Sequence, residues 1–317
     1  MINEILFFML GLVGLLIGAE LITRSSLLIS RKFGLSEGFI GLVVLSLGTT
    51  LPEIMVTIAG ALEKKMGVES SGIVIGNVIG SSMTNMALIF GLSGLLGGVI
   101  HITRKEAWSY GFSLVAATSL FVFTAQDGAI TQKEAWLLVA GYFGYVFLAK
   151  KVNSQQSQTK PFKKNQVKKL GKLLFQLVGG LALIAQSSQW VIEAAITLAI
   201  ELGVSQVVIG AILIGIGTSL PELVIALTAL VKGSRDLSVG NLLGSSIVNM
   251  LLALGAGGLI AGWTVERRVA TFDLPFLLFC VVVITLFMLS RKRLERREAI
   301  LMLSLFVVYV SLKLMGW

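Results

Sequence analysis

Two acidic residues stand where so apolar a chain has little room for charge. Glu53 closes the stretch Ser46-Leu47-Gly48-Thr49-Thr50-Leu51-Pro52-Glu53, and Glu222 closes Gly215-Ile216-Gly217-Thr218-Ser219-Leu220-Pro221-Glu222. Each carboxylate follows a proline inside a run otherwise apolar enough to cross a bilayer. A charge at that depth costs roughly 2.5–3.5 kcal/mol on insertion scales. Pro52 has no N–H, so the Gly48 carbonyl loses its helical partner and the ring pushes the helix open. The Thr49 carbonyl lies in the same turn, and Pro221 acts likewise on Gly217 and Thr218. Exposed carbonyls at membrane depth are tolerated where they line a cavity or hold an ion. Two Glu and two freed carbonyls offer up to about six oxygens, and Ca2+ takes about six to eight in flexible geometry, water supplying the balance. Mg2+ holds its water more tightly and fits less well. The competing use of each Glu is an ion pair with an intramembrane base, but no Lys or Arg lies near the centre of these helices.

Further oxygens come from Ser81 and Asn85, and from Ser245 and Asn249. Each pair is four residues apart and therefore shares a helical face. Neutral oxygens of this kind suit Na+ or Ca2+. Taken singly, such a pair reads as interhelical hydrogen bonding; duplication beside the Glu motifs favours ligands. Gly76-xxx-Gly80 and Gly240-xxx-Gly244 read as close-packing positions. Asn77 and Asn241 stand between ligand support and packing.

The elements that must position these groups are membrane spans. The chain of 317 residues is 55% hydrophobic and 14% charged, with mean hydropathy +0.90. That composition fits an all-α polytopic membrane protein. About ten spans of suitable length are drawn at 4–22, 38–62, 71–98, 108–125, 134–150, 170–193, 205–230, 238–262, 271–290 and 299–316. Residues 4–22 lack a basic leader and read as a first span, not a removable signal. The net charge of +9 comes from Lys and Arg in short loops, which is how topology uses them and not how nucleic acid is bound. With the N-terminus outside, 20 of the 26 Lys and Arg fall on the cytoplasmic side. Both termini are therefore expected outside, in a cell (inner) membrane. The polar stretch 152–169 reads as a cytoplasmic linker between repeats at 1–151 and 170–317. Cys280 is the single cysteine and His101 the single histidine, so there is neither a disulfide nor a His/Cys metal cluster.

The halves align. Gly34, Ser36, Ile40, Gly41, Gly48, Thr49, Leu51, Pro52 and Glu53 match residues 169 positions later, and Gly76 to Met86 match Gly240 to Met250. Glu20 and Glu193 fall outside the match: Glu20 aligns with Gln189 and Glu193 with Arg24, which leaves them structural or pathway roles. Five spans per half is odd, so the second copy is inserted upside down. Inverted repeats with interrupted polar helices point to a secondary transporter, its site near the midplane where the repeats meet.

At these residues the chain resembles the cation/Ca2+ exchanger superfamily, specifically the sodium/calcium exchanger type and its prokaryotic members. The resemblance covers both halves. It implies that Glu53 and Glu222 are shared by Ca2+ and Na+ and that the backbone of Thr49 and Thr218 helps bind Ca2+. It assigns Ser81, Asn85, Ser245, Asn249 and the backbone near Ser46 and Gly215 to Na+. Thr50 stands where the second copy has Ser219, keeping the hydroxyl. Asn at both 85 and 249 looks like the potassium-independent members.

The expected activity is Na+/Ca2+ antiport by alternating access, electrogenic if more than two Na+ move per Ca2+, with no cofactor and no enzyme chemistry. The ions and the bilayer are its partners; the oligomeric state is open, and a monomer suffices. Spans one and six are expected to slide against the rest. A Ca2+/H+ antiporter is the nearest rival and a cation channel a more distant one.

Overall fold

The computed structural model describes residues 2–96, 100–101, 104–156, 170–201, 215–291, 293–294 and 296–315. Helix dominates, because a chain with few polar side chains must satisfy its backbone internally. The helices are α1 Ile2–Phe33, α2 Glu37–Thr49, α3 Leu51–Lys65, α4 Ser71–Leu96, α5 Arg104–Ala125, α6 Gln132–Gln156, α7 Leu170–Glu201, α8 Gly215–Thr218, α9 Leu220–Val231, α10 Arg235–Ala261, α11 Leu274–Arg291 and α12 Arg296–Leu314. Among the described residues six helices are long and apolar enough to cross a membrane, and α2 with α3, bent by 46°, makes a seventh. The described part of every expected span coincides with helix; of the expected linker 152–169, residues 152–156 continue α6 and 157–169 lie outside the described residues, as do 97–98, 205–214 and 316 of the third, seventh and tenth spans.

The first span runs past its expected end at residue 22. Beyond it the helix continues through polar residues, and Ser25 Oγ donates to the Leu21 carbonyl (2.6 Å) within the helix. The helix stops only before Gly34, whose φ of 64° turns the chain. Its counterpart α7 also continues past residue 193, to Glu201.

Two short ribbons fix the direction of the helices. β1 (Ile100–His101) pairs antiparallel with β4 (Arg293–Leu294), and β2 (Ala129–Ile130) with β3 (Trp263–Thr264). The first ribbon joins the α4–α5 and α11–α12 loops at one end of the molecule. The second joins the α5–α6 and α10–α11 loops at the other. α5 therefore runs from the first ribbon to the second, while α11, packed against it, runs back. These are the fourth and ninth spans, so corresponding members of the two halves lie antiparallel.

Burial divides the helices into two apolar clusters. The larger is built around α4, α5, α6, α10 and α11. The smaller seats α1 and α7, which lie along one another, on α2 and α9. α10 crosses α2 at backbone distance: a Cβ on Gly41 would sit 2.5 Å from the Leu237 carbonyl oxygen and 2.8 Å from the Asn241 nitrogen. Gly240 and Gly244 face Gly38 and Leu42 in the same crossing, as their spacing predicts. The stretch that would face Gly76 and Gly80 by repeat symmetry, around Gly210, lies outside the described residues.

Gly41→Val should force α2 and α10 apart. We expect a loss of about 1–3 kcal/mol or more, read as a lower melting temperature in detergent. Gly171→Ala, where a Cβ meets nothing within 4 Å, should melt like the parent.

Candidate cation site

The two proline motifs break their helices at matching points. Thr50 (φ −83°, ψ 0°) separates α2 from α3, and Ser219 (φ −94°, ψ 9°) separates α8 from α9. Each proline ring unwinds the turn before it, where it would collide with the carbonyl four residues back. In the first half the backbone ladder continues through Thr50 N–H to Ser46 O and Ile54 N–H to Thr50 O, both 3.0 Å. Among the described residues no backbone N–H closes on the Gly48 or Thr49 carbonyl. Glu53 and Glu222 each fall in the first turn of the helix that restarts, α3 and α9. There the aligned N–H dipoles favour negative charge.

The fold brings both carboxylates together in its interior. Glu53 is 1% exposed and Glu222 0%, close enough for their charges to act on one another directly. The Ser81 hydroxyl lies beside Glu53; Thr49 and Ser245 lie beside Glu222. Among the described residues none of the four carboxylate oxygens closes a hydrogen bond. A buried, ionised carboxylate without compensation is unfavourable by several kcal/mol, so each acid calls for a proton or a cation to neutralise it.

Around the acids the two halves bond to each other. Ser81 Oγ lies 3.2 Å from Ser219 Oγ and accepts from Asn249 Nδ2 at 3.1 Å. Thr49 Oγ1 lies 3.2 Å from Ser245 Oγ and 3.5 Å from Asn241 Oδ1. Asn241, ambiguous in sequence, thus belongs to this network. Several acceptors remain over: Thr50 Oγ1, Asn85 Oδ1 and Asn249 Oδ1 are buried without partners. Asn85 and Asn249 sit in widened π turns, Thr84–Ile89 and Val248–Ala253, which correspond between the halves. Such turns concentrate at functional sites, and nothing in residue type announces them.

Ser46 is more committed to its own helix. Its hydroxyl donates to the Leu42 carbonyl (2.5 Å), and its carbonyl accepts from Thr49 Oγ1 (3.3 Å) and Thr50 N–H. Gly215 opens α8, and Thr218 ends it, half-buried. Sequence reasoning missed Tyr145, whose hydroxyl donates to the Leu42 carbonyl at 3.0 Å and braces the helix below Ser46. A buried hydroxyl needs a partner, so the two tyrosines of the fifth span, Tyr142 and Tyr145, were the available signal. A cavity of about 10 Å3, bounded by Gly48, Thr49, Pro52, Pro221 and the α7 residues Leu181, Ile184 and Ala185, lies over both breaks. Among the described residues no group of three or more His, Cys, Asp or Glu occurs.

The model of the sodium/calcium exchanger protein family matches residues 3–151 and 172–315. The chain belongs to the sodium/calcium exchanger family. It is 29% identical over 346 residues to the sodium/calcium exchanger MaX1 of Methanosarcina acetivorans, covering 96% of this chain and 97% of that protein. It is 28% identical over 315 residues to the inner membrane protein YrbG of Escherichia coli, covering 95% and 94%. A solved structure of the sodium-calcium exchanger NCX_Mj, soaked with 10 mM Na+ and zero Ca2+, superposes with a TM-score of 0.82 at 26% identity over 98% of each chain.

Ser81→Ala removes the partner of both Ser219 and Asn249. We expect the ion-free exchanger to lose about 1–3 kcal/mol, the cost of stranding buried polar groups. Melting temperatures should fall, and a Na+ titration of melting should require higher Na+.

Proposed function

We propose that this exchanger moves Ca2+ across the membrane in one direction and Na+ in the other, by alternating access to the site between Glu53 and Glu222. The observation that carries the reading is that both buried carboxylates, one from each half, have neither a basic partner nor a closed hydrogen bond among the described residues. Together they carry about −2 when ionised, which one Ca2+ neutralises. Glu53 and Glu222 hold either ion. The Thr49 and Thr218 backbone adds Ca2+ ligands. Ser81, Asn85, Ser245, Asn249, the hydroxyls of Thr50 and Ser219 and the backbone near Ser46 and Gly215 complete the Na+ positions. Shared ligands make the ions mutually exclusive, and that exclusion couples the fluxes. A filled, neutral site can pass the low-dielectric barrier; an empty one exposes bare charge. More than two Na+ per Ca2+ would make each net charge worth ~2.3 kcal/mol per 100 mV.

The moving parts are α1 and α7. They pack along each other and share the smaller apolar cluster with α2 and α9, and α7 lines the cavity over the two prolines. This supports sliding of the pair as one body. We place the repeats at 1–151 and 170–317 with the linker 152–169 cytoplasmic, both termini outside and the β1–β4 ribbon on the cytoplasmic side. Loop charge is the support for that orientation.

In proteoliposomes, an imposed Na+ gradient should drive Ca2+ uptake without K+. Glu53→Gln and Glu222→Gln should each reduce it at least tenfold, because each removes one of two charges facing the divalent ion. Uptake driven by a pH gradient alone would establish Ca2+/H+ exchange instead, and a K+ requirement would overturn potassium independence.

A further inference from the structure

The two halves are not in the same conformation. Offset by 169 residues, Leu51 and Met55 of α3 correspond to Leu220 and Val224 of α9. Leu51 is 48% and Met55 69% exposed. Leu220 and Val224 are instead part-buried against the cluster that contains α1. α1 thus closes over α9, while the matching face of α3 is left uncovered.

One ion pair holds the closed side. Lys232, just beyond the end of α9, donates to Glu20 of α1 at 2.6 Å, the only described bond between charged side chains of α1 and the α9 end. By the same offset Lys232 corresponds to Glu63 and Glu20 to Gln189. The equivalent meeting of α7 with the end of α3 would set an acid against a neutral amide. No hydrogen bond or ion pair joins Gln189 to Glu63 among the described residues.

We propose that Glu20 and Lys232 are positioning residues, a one-sided latch that favours the access state in which α1 covers α9. The inference rests on the sliding reading above. When the pair slides, α7 covers Leu51 and Met55, α1 withdraws from Leu220 and Val224, and the ion pair parts. Arg24, one turn from Glu20, then stands near enough on the same helix face to accompany the carboxylate. The latch is therefore weak, a bias and not a lock. Lys232 follows α9 at the end that carries the β1–β4 ribbon: Gly38, which opens the adjoining α2, lies against Tyr110 of α5 and Asp236 of α10 there. The latch accordingly closes that end and leaves the opposite end open.

A carrier's apparent affinity at each face scales with the fraction of molecules open to that face. Release of the latch should weaken apparent Ca2+ affinity at the β2–β3 end and strengthen it at the β1–β4 end. The test is Na+-driven Ca2+ flux in membrane vesicles of both orientations, with half-saturating Ca2+ measured from each face. These concentrations do not depend on how much protein folds. Glu20→Gln and Lys232→Gln should change the ratio of the two faces about two- to fivefold in the same direction, the range expected of a part-exposed pair. The swap Glu20→Lys with Lys232→Glu should restore it, and Glu63→Gln should leave it unchanged. A ratio unmoved in both single variants, with parental exchange intact, overturns the latch. So does a shift that the swap does not restore. Absence of Na+-driven flux in the parent chain would instead overturn the exchange reading itself.

Discussion

Two carboxylates held in a low-dielectric interior without a counter-charge are the constraint on which this structure turns. The protein could have paired each with a base, at the cost of a second buried charge. It supplies dipoles instead. Each Glu occupies the first turn of a restarted helix, and hydroxyls approach it: Ser81 at Glu53, Thr49 and Ser245 at Glu222. That is enough to keep the acids in place and too little to satisfy them. The deficit, several kcal/mol per uncompensated ion, is the free energy available to a cation that must also be released.

Proline serves this arrangement twice. By lacking an N–H it frees a carbonyl, and by its ring it bends the span, so that a helix N-terminus is created in mid-membrane. An unbroken helix would present the same glutamate with every carbonyl occupied and no terminal dipole beside it. The surrounding packing keeps the break from collapsing. α10 lies against α2 at backbone contact through glycines, and Tyr145 ties down the Leu42 carbonyl one turn below Ser46. Away from the site, buried charge is treated in the ordinary way: Asp273 accepts from both Tyr309 (3.1 Å) and Lys313 (2.9 Å). The contrast with Glu53 and Glu222 separates a staple from the proposed cation site.

Near-symmetry with a difference is the second theme. Thr49 meets Ser245, but Ser81 meets Ser219, the counterpart of Thr50 and not of Thr49. Asn249 donates to Ser81, whereas both amide atoms of Asn85 are unpaired. Two copies of one motif that settle into different hydrogen-bond patterns show that the motif accommodates two arrangements. That is the property a switching element requires.

The sequence alone determined the chemistry: which residues are acidic at membrane depth, that they occur twice, and that proline opens the helix beside them. These follow from residue type and spacing, because the cost of a buried charge and the geometry of proline are local. Helix ends were less legible. The first span was drawn to residue 22, yet the helix runs to Phe33, and Ser25 within it returns its hydroxyl to its own backbone. Only the tertiary structure decided which hydroxyl faces which across the halves, where the π turns widen α4 and α10, and that Glu20 finds Lys232. Those contacts join residues up to about two hundred positions apart, and their partners are chosen by how helices pack, a choice no single stretch of chain contains.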